Sequence, residues 1–594
     1  MNETNQVVQL KRRIAGFVQQ KNYKQALNDS NKLVKLAPVD IEAWYVRHQL
    51  QEYFGDFEGA VRSLHQVCQV PSPIYEAALD TSVKLCKKHK LNQLGVAPAQ
   101  ARCKNRPHDP EMFFDLGYFL FELEQMAASV EPFSRALEMD PSSERYARFL
   151  TAAYLFSGQV VKSLEILDAY TERYGNSEEM HAIQSMTSNY PWAFTDQAVF
   201  DRQVASGRFF ESGHDVSDRF IGFTPGEKIR LGYLSSDFYH HSVAFFFRTL
   251  CEHHNRDRFE VVCFSDVARP DQVTDDLRAL SDEWVECLGK DDSQVASLVR
   301  ERNIDILVDL IGYAGRSRLG VFARRAAPVQ VSYLGYPNTT GLKRMDYRIC
   351  DSFTDPPGDS DAMHTETLKR LKSGFLCYTN WFPVPAVGEL PAQKNNGSVC
   401  FGSFNSFMKV SDELLRLWAD VLKQVPGSCL LMKSKPLVEA AQRERVWSVF
   451  ESAGIDRSRV RLMGWAPTIG SHLELYNEVD IHLDTFPYNG TTTTVESLRQ
   501  GVPTVTLAGR SHRSRVGLSL LTQLGLEGCV AHSEADYIAK AVGLAQDIKA
   551  LAETRRSLRG QVDRSSLCDQ NRFIGEIEQV YEEMLTERAE ALKQ

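Results

Sequence analysis

The sequence predicts an α superhelix of stacked helical repeats followed by an α/β region built as two parallel-sheet lobes, and three observations predict it. The first third repeats itself at a spacing of 34 residues. After about residue 176 the pattern changes to short β-branched runs alternating with amphipathic stretches. A stretch rich in Pro, Gly and Asn, NWFPVPAVGELPAQKNNG, then divides that alternation in two over about 381–397.

The repeats come first. NYKQAL at 22–27 recurs as DFEGAV at 56–61, and Ser129 and Ser163 stand in the small-residue slot of Ala26 and Ala60. Trp44 before Ala60, and Phe113, Leu116, Gly117 and Leu120 before Ser129, fit the tetratricopeptide template, as do Leu150 and Tyr154 before Ser163. Residues 73–108 keep helical periodicity but lose the motif, which reads as a degenerate repeat. A helix pair of this kind cannot bury its apolar face alone and needs stacked neighbours. The assignment is 1–175 for repeats and 176–228 for a helical linker. The repeats are expected to dock protein acceptors.

The α/β region is assigned as a first lobe over 229–380, the interlobe linker 381–397, and a second lobe with a terminal helix over 398–594. Strands are expected at IRLGYLSSDF, FEVVCFSD, EWVECL, DILVDLIGY and VQVSYLGY in the first lobe. In the second they are expected at VCFGSFN, CLLMKSKP, VRLMGW, VDIHLDTF and TVTLAG, with helices between. Strands joined through helices make parallel sheets covered on both faces, so each half is Rossmann-like, and ligands belong beyond the carboxyl ends of the strands.

Composition excludes several classes. The 68 basic and 77 acidic residues give a net charge of −9 without the basic stripe of a nucleic-acid protein. No apolar run is long enough to span a bilayer, and the beginning has no signal-like apolar region. The twelve cysteines are scattered without CxxC pairs, so reduced thiols, a cytoplasmic location and no membrane or nucleic-acid partner are expected. Cys251, His253 and His254 read as one helix turn rather than a metal site. Asp359-Ser360-Asp361 reads as a solvated loop rather than a metal-binding DxD, so no metal is expected.

Polar residues cluster after the strands. The first strand is followed by Asp237, His240 and His241, and VCFG by Asn405, Ser406 and Lys409. IHLD is followed by TFPYNGTTTTVES, a Gly-Thr turn opening a helix. A helix N-terminus with free N–H groups and flanking hydroxyls suits phosphate. Glu496 is expected in the first turn of that helix, where it favours the dipole or takes a ribose diol. Asp305 and Asp309 share one strand face, Asp309 being nearer the cleft.

The stretches SSDFYHHSVAFFF, LVDLIGYAGRSRLGVFARRAAPVQVSYLGYPNTTG, MDYRICDSFTDPPG, FGSFNSFMK and LDTFPYNGTTTTVESLRQGVP together resemble glycosyltransferase family 41. Its members include O-linked N-acetylglucosamine transferases and SPINDLY-type protein O-fucosyltransferases. The resemblance covers the whole chain and implies a GT-B arrangement of the two lobes and a nucleotide-sugar donor in place of any cofactor. It implies that Lys409 and the neighbouring Ser406 contact the donor diphosphate, beside Asn405, and that Thr492 and Thr493, following Thr491, bind it at the helix N-terminus. Glu496 would hold the ribose, His472 would pack beside the base, and Tyr336 and Pro337 would belong to a loop lining the sugar pocket. His241 is the candidate base at the cleft mouth, histidine being the side chain that changes charge nearest neutral pH.

The expected reaction is an inverting displacement at the anomeric carbon by a Ser or Thr hydroxyl, with N-acetylglucosamine delivered from UDP-N-acetylglucosamine. Lys409 and the Thr491 turn would stabilise the departing diphosphate, help that often contributes about 3 kcal/mol per donor group, without a divalent cation. GDP-fucose, glucose transfer to Asn, an inactive repeat scaffold and homo-oligomerisation are left open.

Overall fold

The computed structural model describes residues 3–175, 177–213 and 228–591, with the side chain of Glu3 left aside. The expected linker 176–228 therefore lies partly outside the described residues. The chain divides into two compact units, 1–157 and 158–594.

The first unit is nine helices among the described residues, running from Glu3–Gln19 to Glu144–Phe156. Their starts are written in the sequence: Asn22, Asp40, Asp56, Asp109 and Ser143 each accept a backbone N–H with their side chains as N-caps, which typically contributes about 1 kcal/mol per cap. Ala26, Ala60 and Ser129 are fully buried. The degenerate repeat is a complete helix pair, Tyr75–His89 and Asn92–Asn105. Its small-residue slot is Gly95, 34 residues before Ser129, where an added Cβ would lie 2.5 Å from the Phe119 ring.

The second unit opens with the helix Val160–Tyr174, which the sequence grouped with the repeats. Asp168 on that helix takes two hydrogen bonds from Arg202 at 2.8 and 2.7 Å, tying it to the helices Glu178–Thr187 and Asp196–Glu211 that follow.

The first lobe contains β1 Ile229–Ser235, β2 Phe259–Ser265, β3 Glu283–Glu286, β4 Ile306–Asp309, β5 Val329–Ser332, β6 Tyr347–Asp351 and β7 Thr367–Leu371. The second contains β8 Cys400–Ser403, β9 Cys429–Lys433, β10 Val460–Met463, β11 Ile481–Leu483, β12 Thr504–Leu507 and β13 Val530–Ala531. Strand orders are β3-β2-β1-β4-β5-β6-β7 and β10-β9-β8-β11-β12-β13, and the pairings are parallel, as in β1 with β4 and β8 with β11. Each sheet reverses direction between its first strand and the fourth in that lobe, the topological switch point where open α/β sheets bind ligands. The strands β6 and β7 extend the first sheet beyond the five read from sequence.

The lobes meet through residues that follow the strands. His512 Nδ1, after β12, lies 2.6 Å from the buried Asp355 beyond β6, and Arg515 donates to the Phe353 carbonyl at 2.7 Å. The terminal helix Gln570–Ala591 packs on the first lobe. Its Glu578 faces His254 at 3.0 Å, and Glu587 accepts from Tyr347 at 2.9 Å.

Candidate functional site

The second lobe gathers most of the expected donor residues at its switch point. Asp484, directly after β11, is fully buried. Its Oδ1 accepts from the amides of Thr485 (2.8 Å) and Gly490 (2.7 Å), and its Oδ2 from the Thr506 hydroxyl (2.8 Å). Those bonds fold 484–490 into a tight loop. Gly490 sits where a Cβ would be 2.8 Å from Asn405 Oδ1 and 2.9 Å from Thr494 Oγ1, so the turn after β8 and the start of the helix Thr492–Arg499 close on one point.

Lys409 ends the short turn after β8. Its Nζ donates to the Asn489 carbonyl at 2.7 Å and lies 3.9 Å from the centre of the Tyr488 ring. Burial lowers its pKa to about 8, against the pull of the Asp484 charge, while burial raises Asp484 to about 6. The cation is thus held by a carbonyl and a ring face, with Asp484 behind it. Asn405 is buried, while Ser406 stands exposed at the rim.

The helix Thr492–Arg499 begins without a side-chain cap at Thr491. An α-helix leaves its first amides without intrahelical partners, and here the Thr492 hydroxyl is also buried with no hydrogen-bond partner among the described residues. This is the arrangement of an anion site. Glu496 lies beyond the first turn rather than in it, which corrects the dipole reading. Its carboxylate instead faces His472 Nε2 at 3.1 Å, and His472 Nδ1 lies 2.7 Å from Lys433 Nζ. An ammonium group can only donate, so Nδ1 accepts from Lys433 and Nε2–H donates to Glu496. His472 itself is carried by the helix Ile469–Glu474, capped reciprocally by Thr468 and Ser471.

In the first lobe, His241 is the N-cap of the helix Ser242–His253. Its Nδ1 accepts from Val243 N at 3.4 Å and lies 3.5 Å from Asp237 Oδ2. His240 is exposed; its backbone amide donates to Asp271, and its ring lies against Phe245 and Phe382 at 5.3 and 5.1 Å.

The other residues singled out by sequence are engaged within the fold. Tyr336 does not offer its side chain to the cleft. It is 1% exposed, and its hydroxyl donates to Gln203 Oε1 at 2.8 Å and accepts from Asn189 Nδ2 at 3.0 Å, fixing the first lobe to the preceding helices. Pro337 beside it is buried. Asp309 closes the turn after β4 by accepting from the amides of Ile311 and Gly312, and Asp305 accepts from Arg230 N at the strand's far end. Cys251, His253 and His254 do not converge: His254 is engaged by Tyr233 and Glu578, and Cys251 faces Cys263. Asp361 is bound by Gly358 N and Arg370.

Two features were not read from sequence. One is Lys433 at the end of β9. The other is the segment after Thr187: Tyr190 stacks on Tyr488 at 5.3 Å, and Arg513 donates to the carbonyls of Ser188 and Asn189. The Lys-Ser-Lys-Pro run after CLLM was the available signal for the first.

Two Rossmann-like parallel sheets following consecutive helices define a two-lobed, GT-B-like architecture. The family model "Glycosyl transferase family 41" matches residues 215–381 and 390–577, and the chain belongs to that family. It is 39% identical over 406 residues, 67% of this chain and 43% of the relative, to "Probable UDP-N-acetylglucosamine--peptide N-acetylglucosaminyltransferase SPINDLY" of Solanum lycopersicum. The protein of the same name from Oryza sativa subsp. japonica is 43% identical over 60% of this chain and 38% of its own length. The chain thus spans about two fifths of these curated relatives. Among solved structures, a mutant Thermobaculum terrenum O-GlcNAc transferase superposes with a TM-score of 0.80 at 30% identity, covering 88% of this chain and all of that one. Among the described residues no helix is long and apolar enough to cross a membrane.

Proposed function

We propose that this chain is an inverting protein O-glycosyltransferase that transfers N-acetylglucosamine from UDP-N-acetylglucosamine to Ser or Thr of protein acceptors. The observation that carries the reading is the pairing of a half-buried Lys409 cation with an uncapped helix start whose Thr492 hydroxyl has no hydrogen-bond partner among the described residues. A nucleoside diphosphate leaving group develops negative charge as the anomeric bond breaks, and preorganised donors aimed at that charge lower the barrier. In this reading Glu496 takes the ribose, His241 with Asp237 accepts the acceptor's proton, and residues 1–175 dock the acceptor. The relatives and the solved neighbour, each named for N-acetylglucosamine transfer, support that donor.

GDP-fucose is the second reading, favoured by Thr491 before the paired threonines and by the cationic Lys433 beside His472. The test is transfer to a panel of denatured protein acceptors from radiolabelled UDP-N-acetylglucosamine or GDP-fucose, with chelator present. Label from the first supports the lead reading and label from the second alone replaces it. Failure of both, with either nucleotide bound, would leave a binding protein.

A further inference from the structure

Lys433 ends β9, paired in register with Met463 of β10, and the chain after β10 places Trp465 beside it. The lysine is 7% exposed, a rare state for that side chain. Among the described residues its Nζ has one polar partner, His472 Nδ1 at 2.7 Å, and burial brings its pKa down to about 8. It lies 5.8 Å from the Phe404 ring centre and 5.6 Å from that of Trp465, which is itself 62% exposed. An ammonium group has three N–H donors and one is used. The remaining two sit next to the exposed Trp465 indole, which Lys435 Nζ also approaches at 4.4 Å from the ring centre, and an exposed aromatic of this kind can stack a heterocycle. Along this wall the order is the helix start at Thr492, then Glu496, His472 and Lys433, so a nucleotide with its diphosphate at the helix presents its base to the lysine.

We propose that Lys433 is a specificity-determining residue that reads the base of the bound nucleotide by donating to a ring carbonyl, so that the site selects keto bases over amino bases. The proposal rests on the donor-site reading above. Uracil offers its C4 carbonyl, the position at which cytosine carries an amino group. Guanine offers O6 together with N7, the acceptor pair that lysine and arginine use elsewhere. Cytosine and adenine turn an amino group toward the same position, where two donors oppose each other. The His472–Glu496 pair supports the lysine from behind: Nε2–H is committed to the carboxylate, which leaves Nδ1 as an acceptor and fixes where Nζ points.

The experiment is calorimetric titration of UDP, GDP, CDP and ADP into the full chain and into Lys433→Met and Lys433→Arg. The intact protein is expected to bind UDP or GDP at least about tenfold more tightly than CDP and ADP, the size of one good base contact. Lys433→Met should bring the four within about threefold by weakening the keto bases, and Lys433→Arg should keep the order. Circular dichroism and melting establish that both variants are folded; if Lys433→Met is not, loss of the preference in a folded Lys433→Gln serves instead. A flat series in the intact protein, or an undiminished preference in a folded Lys433→Met, overturns the role of the lysine while leaving the donor site standing. Absence of binding by all four to the intact protein overturns the donor-site reading and this inference with it. The UDP and GDP arms separate the two donor readings.

Discussion

Replacing Lys409 with Met separates the function of the site from the stability of the fold, because the two should move in opposite directions. The lysine's fall from 10.5 to about 8 is caused by burial and corresponds to about 3 kcal/mol favouring its neutral form. For a base whose folded value lies below its unfolded one, that cost is present in full below about pH 8 and disappears as the pH approaches 10.5. Met has a similar length and no charge. The variant loses the bond to the Asn489 carbonyl and the contact with Tyr488, together about 1–2 kcal/mol, while Asp484 keeps its three hydrogen bonds. The net expectation at pH 7 is a gain of about 1 kcal/mol, seen as a raised melting temperature that converges on the parent near pH 10. Transfer should fall by about 10²–10³, the usual cost of one charge-stabilising donor. In the parent, the rate should decline above about pH 8 as the ammonium loses its proton. A folded Lys409→Met that keeps more than a tenth of the transfer rate, or that melts lower at pH 7, refutes the argument.

Thr492→Val removes the partnerless buried hydroxyl, so the free protein should melt slightly higher while the affinity for nucleoside diphosphate drops about tenfold, as expected for a hydrogen bond to a charged group; titration and melting on one preparation check both. Tyr190→Leu deletes the ring stacked on Tyr488, on which Lys409 rests. A loss of about three- to tenfold in transfer is expected from one aromatic pair, and Tyr190→Phe should retain the rate; equal damage by both would show that the stack is not the cause. Removing residues 1–157, the first compact unit, should abolish transfer to folded protein acceptors while leaving the affinity for nucleoside diphosphate intact, and a parallel loss of both would make that unit structural rather than a docking surface.

The legible parts of this molecule are those where one local rule decides the outcome. A 34-residue period with a small residue in a fixed slot can only be a stacked helix pair, and the slot survives even where the motif does not, as Gly95 against Phe119 shows. The Gly-Thr turn before Thr492 was readable because a helix start needs partners for its amides, and the sequence supplies no residue that caps them. What was not legible depends on distant partners. YRICD and TLKRL are short and flanked by a Pro-Gly-rich loop, and they become β6 and β7 only because β5 offers an edge. Tyr336 looked like a pocket residue in its loop, but its hydroxyl is claimed by Gln203, 133 positions away. Glu496 looked like a dipole partner until His472 was placed opposite it.

The segment after Thr187 shows how much of the site is built by residues that carry no motif. Arg513, 2% exposed, holds the carbonyls of Ser188 and Asn189 and the carboxylate of Asp196 with its guanidinium, while its own carbonyl accepts from Asn489 N at 2.9 Å. Asn489 is the residue whose carbonyl holds Lys409. From the other side, Asn338 of the first lobe donates to Asn189 at 3.0 Å. The segment therefore touches both lobes and reaches Lys409 in three contacts, through Arg513 and Asn489. Apart from the half-buried Asp196 and Lys409 these groups are buried, and a buried polar group is costly to leave without its partner. A shift of one lobe against the other must therefore move Asn189 or break its bonds, and either change reaches Asn489. The position of Lys409 is in this way a property of the lobes and the preceding helices together, which is why a short stretch assigned from sequence to a linker belongs to the catalytic architecture.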